Sequence, residues 1–155
     1  MLLKLLLATL RKPRTAPPVG AAQIGHAMRL MGEGRNAAAE ALLREALAAA
    51  PGDVAAAQLL ANLALLRGDA DAALACLDVI RSAPAAETGF MRAQALVKLG
   101  RTDDALVAYR ELCESFPLFA PGHGARGTLL SALGRWDEAV AALREASRLE
   151  PHSAA

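Results

Sequence analysis

Apolar positions recur along the chain at helical spacing and are interrupted at a regular interval by one glycine and one proline. Gly34, Gly68, Gly100 and Gly134 follow one another at 34, 32 and 34 residues, and Pro51, Pro84, Pro117 and Pro151 at 33, 33 and 34. Each glycine supplies a tight turn between two helices, and each proline ends the second of them. The pattern predicts a first helix, A, over about 21–32, 54–66, 87–99 and 121–133, and a second helix, B, over about 36–49, 70–81, 102–115 and 136–149. Leu30, Leu96 and Leu130 on the A helices, with Leu43, Leu77, Tyr109 and Leu143 on the B helices, hold matching positions and are expected to form a continuous core. Ala64 takes the corresponding place in the second unit, where thinner packing is expected. Self-similarity at this period means a row of like units, none of which can bury its own apolar face alone.

Small residues mark where the two helices of a unit cross. Ala27, Ala61, Ala93 and Gly127 stand seven before each turn glycine, and Ala39, Ala73, Ala105 and Ala139 five after it. A larger side chain at such a crossing overpacks, at a cost of about 1–3 kcal/mol. Asp103, Asp104, Asp137 and Glu138 fall in the first turn of their B helices, where the macrodipole favours negative charge.

Composition sharpens this picture by what it excludes. Apolar residues reach 54% but aromatics only 3%, a helical rather than a strand composition. A net charge of +1 gives no global field directed at nucleic acid or an anionic surface. Cys76 and Cys113 lack metal-ligand spacing and read as small buried hydrophobes of a reducing compartment. His26, His123 and His152 are scattered, and the serines have no nucleophile-elbow context. Residues 122–127 do match the dinucleotide fingerprint G-x-G-x-x-G. That motif needs a preceding strand, and Pro117 and Pro121 bracket only three residues. No cofactor, metal, small-molecule substrate or nucleic acid is expected, and the chain reads as noncatalytic.

Residues 1–19 stand apart from the repeats. Leu2, Leu3, Leu6, Leu7 and Leu10 share one side of a short helix, which falls well below the ~20 residues of a membrane span. With Arg11, Lys12 and Arg14 at its end, residues 1–14 could lie on a membrane surface or cover an open end of the repeat row. Pro13, Pro17 and Pro18 make the following stretch a stiff linker.

The small residues at repeat positions 8 and 20, with proline at 32 of a period of 34, resemble the tetratricopeptide repeat, in the Ala-, Leu- and Arg-rich form of bacterial chains. The likeness covers residues 20–153 as four units, 20–53, 54–85, 86–119 and 120–153. It implies an all-α fold, a right-handed superhelical solenoid of four helix-turn-helix repeats: about eight repeat helices plus a short N-terminal helix. Departures are the loss of the usual aromatic at position 4, where Gln23, Ala57, Gly89 and His123 stand, and a basic position 7 in His26, Arg92 and Arg126. The two arginines are expected to send their charged heads to water. The second unit is two residues short, so an altered angle is expected near residues 84–88.

The resemblance further implies that the A helices line a concave groove for a peptide or helix of a protein partner. Ile24, Met28, Gln58, Asn62, Phe90, Gln94 and Thr128 are the residues expected to face it, with Asn62 and Gln94 foremost because an amide both donates to and accepts from backbone. Where chaperone-binding members grip a terminal carboxylate with cations, this chain has Ile24, Met28, Leu59, Glu87 and Met91. Rival expectations are the N-terminal repeat region of a longer enzyme, such as a sulfotransferase or glycosyltransferase, or a membrane-associated assembly factor. The leading expectation places the chain in the cytoplasm, at most peripheral to a membrane, with self-association through an uncapped last helix.

Overall fold

The computed structural model describes residues 19–80 and 85–150. The leucine-rich start, most of the linker after it, and Pro151 lie outside the described residues, as does part of the segment where the sequence predicts an altered angle. Among the described residues the secondary structure is helix only: α1 Val19–Gly32, α2 Asn36–Ala49, α3 Val54–Arg67, α4 Ala70–Asp78, α5 Ala86–Lys98, α6 Thr102–Ser115, α7 Ala120–Ala132 and α8 Trp136–Leu149. The chain divides into two compact units, residues 1–50 and 51–155.

One turn geometry is repeated four times. Gly34, Gly68, Gly100 and Gly134 have φ of 74°, 81°, 71° and 72°, and no other described residue has positive φ. In each turn the glycine N–H bonds the carbonyl three residues back (Met31, Leu65, Val97, Ser131). The next N–H bonds the carbonyl five back (Leu30, Ala64, Leu96, Leu130), and all eight distances lie between 2.8 and 3.1 Å. This is the Schellman closure of a helix C-terminus, and its left-handed residue is why glycine recurs there. The residue that completes the closure also opens the following helix: the carbonyls of Arg35, Asp69, Arg101 and Arg135 accept from Ala39, Ala73, Ala105 and Ala139. Each helix pair is thus joined by a turn with little freedom in its angle.

In the first unit, α1 and α2 close on Ala27 and Ala39, both fully buried, with Leu30 and Leu43 beside them. In the second unit α3 pairs with α4, α5 with α6 and α7 with α8, while α4 packs on α5 and α6 on α7. Ala61, Ala73, Ala93, Ala105 and Ala139 are buried at the crossings. Ala64 is buried alongside Leu60 and Leu63 of its own helix. All three phenylalanines pack on the cluster formed by Ala93, Tyr109 and Leu112. Leu112 is wedged between α5 and α7: a Cβ on Gly89 would stand 3.1 Å from its Cδ1, and one on Gly122 3.0 Å from its Cδ2. Gly89 therefore replaces the aromatic usual at its repeat position because a leucine from the neighbouring helix occupies the space.

Three expectations need correction. Leu143 is 40% exposed instead of buried. Its counterpart Tyr109 belongs to a cluster on which Phe119, Ala125 and Leu129 pack, at the start and along the length of the next helix, whereas no described helix follows α8. Helix α4 ends at Asp78, not near residue 81. Finally, the head of Arg92 does not go to water. It turns back to the end of α4, where Nη1 donates to Asp78 Oδ1 at 2.8 Å and Nη2 to the Leu77 carbonyl at 3.2 Å. A cation at that place satisfies a terminal carbonyl and complements the negative end of the helix dipole. The shortened helix and the inward arginine are two parts of one arrangement.

Candidate functional site

The residues expected to face a groove fall into three groups. In the first unit, Met28 is exposed on α1 and Ile24 is half-buried one turn before it. In the second unit Asn62, Gln94 and Thr128 occupy the same repeat position on α3, α5 and α7. Asn62 and Thr128 are exposed and Gln94 is half-buried. The Thr128 hydroxyl donates to the Gly124 carbonyl at 3.0 Å, which leaves its oxygen lone pairs available. The amides of Asn62 and Gln94 make no side-chain hydrogen bond with other described residues, so both keep donor and acceptor capacity.

Gln58 and Phe90 are already engaged within the chain. Gln58 Nε2 donates to the hydroxyl of buried Thr88 at 2.8 Å and so ties α3 to α5. Phe90 lies 6.1 Å from Tyr109 and 5.7 Å from Phe119 between ring centroids, the latter edge-on. Aromatic pairs of this geometry contribute about 0.5–1.5 kcal/mol beyond area burial. Phe90 thus belongs to the seam between helices.

Features missed by sequence reasoning lie elsewhere on the second unit. A pocket of about 310 Å³ opens between α4, α5 and α6. Within it Arg92 pairs with Asp78 and Arg101 with Asp104, both at 2.8 Å, so the charges largely cancel. Its counterpart one unit on is a pocket of about 300 Å³ with Arg126, Glu138 and Glu145 in its wall. There Arg135 holds the Glu138 carboxyl below the usual carboxylate range through bonds of 2.7 and 2.8 Å. Arg148 does the same for Glu145. The signal in the sequence was the pair of arginines at position 7. An apolar cup of about 390 Å³ is formed by Ala86 and the loop from Ser115 to Phe119.

The fingerprint-like run at residues 122–127 is entirely helical, within α7. A Cβ on Gly124 would stand 3.8 Å from the Ala146 methyl, and one on Gly127 would meet Leu143 and the Ala139 carbonyl. Together with Gly122 against Leu112, these glycines serve helix packing, not a phosphate turn. Burial pushes the Cys113 thiol up, against a smaller opposing effect of Arg126, and burial pushes the Tyr109 phenol up to about 12. Among the described residues no helix is long and apolar enough to cross a membrane.

Comparisons with known proteins agree with this architecture. Two tetratricopeptide repeat models match, over residues 30–89 and 90–154. A thermophilic TPR protein of Thermus thermophilus superposes with a TM-score of 0.74 at 27% identity, covering 86% of this chain and 75% of its own. MamA MSR-1 gives a TM-score of 0.71 at 22% identity, with coverage of 87% and 79%. MamA AMB-1 gives 0.69 at 24%, with coverage of 84% and 78%. At these identities the two MamA structures bear on the fold alone. No curated protein matches the chain. The repeated glycine closure, the small-residue crossings and both family matches place this chain in the tetratricopeptide repeat family.

Proposed function

We propose that the chain is a noncatalytic interaction module whose A helices present a groove to an extended peptide or a helix of a protein partner. The observation that carries this reading is the row formed by Asn62, Gln94 and Thr128, one polar side chain per repeat at one repeat position. Amides spaced along successive helices suit the backbone of an extended segment, whose groups alternate between donor and acceptor. Gln58 and Phe90 are left out of the partner contacts, because their polar or aromatic groups are taken up by Thr88 and by Tyr109 with Phe119.

The test is a peptide selected from a display library on the intact chain, with its affinity then measured by calorimetry. Replacing Asn62 and Gln94 together with Ala should weaken binding roughly tenfold to a hundredfold, on the basis of about 0.5–1.5 kcal/mol per hydrogen bond. Glu111→Ala, on the B helix α6, should leave affinity unchanged. Equal affinity for the wild type and the double variant would remove the groove from consideration.

A further inference from the structure

The last described helix, α8, is apolar on two sides. Ala139 and Ala142 are buried with Leu130 and Leu106. A separate stripe of Trp136, Val140 and Leu143, at i, i+4 and i+7, stays 65%, 46% and 40% exposed. Asp137 and Arg144 flank this stripe on one edge, seven residues and so about 10 Å apart along the axis. Both are exposed, and neither forms an ion pair with another described residue.

We infer that this face of α8 binds a second copy of the same chain, helix against antiparallel helix about a twofold axis beside Val140. The charge pattern selects that occupant. Under such an axis a flanking residue of one helix faces the residue equally far on the other side of the centre in its mate, along the same edge. With the centre between Val140 and Ala141, Asp137 of each copy faces Arg144 of the other, so that two ion pairs close one edge of the interface. Val140 then meets its own counterpart at the centre, and Trp136 lies over Leu143 of the second copy. A self-complementary edge of this kind steers like molecules together and disfavours other registers.

Trp136 is the single tryptophan of the chain and reports directly on this surface. Sedimentation equilibrium of the full chain should show a monomer–dimer equilibrium, with Trp136 emission moving to shorter wavelength as the dimer forms. Asp137→Arg sets like charges opposite each other twice and should weaken association by at least about tenfold. Arg144→Asp should do the same, at a place outside the first helical turn, and the two substitutions combined should restore the dimer. Far-UV circular dichroism checks that each variant folds. A monomer at every concentration would overturn the inference, whether its Trp136 emission is that of an exposed ring or of one covered by the chain's own residues. So would a dimer indifferent to Asp137→Arg, or single reversals that the double reversal does not rescue.

Discussion

Gly127→Ala tests the packing argument most sharply, because local and tertiary preferences oppose each other there. Ala27, Ala61 and Ala93 fill the equivalent place in the other units and are fully buried, and alanine in a helix interior is favoured over glycine by up to about 1 kcal/mol. At residue 127, however, the added Cβ would stand 2.7 Å from Leu143 Cγ, 2.9 Å from Leu143 Cδ2 and 3.2 Å from the Ala139 carbonyl oxygen. A branch carbon cannot be swung aside as a chain end can, and the carbonyl belongs to the backbone of α8, so the helices must part slightly. Overpacking of this kind costs about 1–3 kcal/mol, which outweighs the helical gain and leaves a net loss of about 1 kcal/mol. Urea denaturation followed by circular dichroism, at one fixed protein concentration, reads the change as a lower midpoint with unchanged slope. The same substitution in a Leu143→Ala background should be neutral or stabilising, since the nearest obstacle is gone and the propensity gain remains. A rise in stability on Gly127→Ala in the wild-type background would refute the reasoning, as would an equal loss in both backgrounds.

Two further outcomes are expected. Arg92→Ala should destabilise the second unit by about 1–2 kcal/mol and speed hydrogen exchange at the end of α4, and Arg92→Lys should recover only part of this because an ammonium cannot fork between the Leu77 carbonyl and Asp78. Unchanged exchange near Asp78 would refute the capping role. For Tyr109, burial pushes the folded phenol up to about 12, so the unfolded chain ionises first, near 10. The stability this contributes is fully present below about pH 10 and is lost as pH rises toward 12, amounting to roughly 1–3 kcal/mol, and Tyr109→Phe should show a correspondingly shallower alkaline decline in denaturation midpoint.

Local chemistry in this chain left marks in the sequence, and partnerships across helices did not. A left-handed turn residue has few substitutes for glycine, so Gly34, Gly68, Gly100 and Gly134 show the turns and thereby the helix bounds on either side. The expected bounds of α2, α3, α5, α6, α7 and α8 accordingly agree with the structure to within one residue. The two missing residues of the second repeat are equally plain, but the count alone does not say which helix loses a turn. That depends on Arg92, fourteen residues beyond Asp78, finding the free end of α4. Gln58 likewise reads as a groove amide until Thr88, thirty residues on, supplies its acceptor.

Leu143 holds a repeat position that is buried in the core on the other B helices, yet it stays 40% exposed. Tyr109, at that place on α6, lies in a cluster on which Phe119, Ala125 and Leu129 of the following helix and its start pack, so the burial of such a position on α6 or α8 is a property of having a neighbour. On α8 the inward part of Leu143 leans on the space that Gly127 leaves, while its outer part joins Trp136 and Val140 at the surface. The glycine and the exposed stripe are therefore linked: closing the space with a methyl should push Leu143 outward and enlarge the apolar face. Gly127→Ala would then lower the stability of the fold and, through a larger apolar face, strengthen any association made through α8, two effects of opposite sign that separate measurements of melting and of mass can resolve.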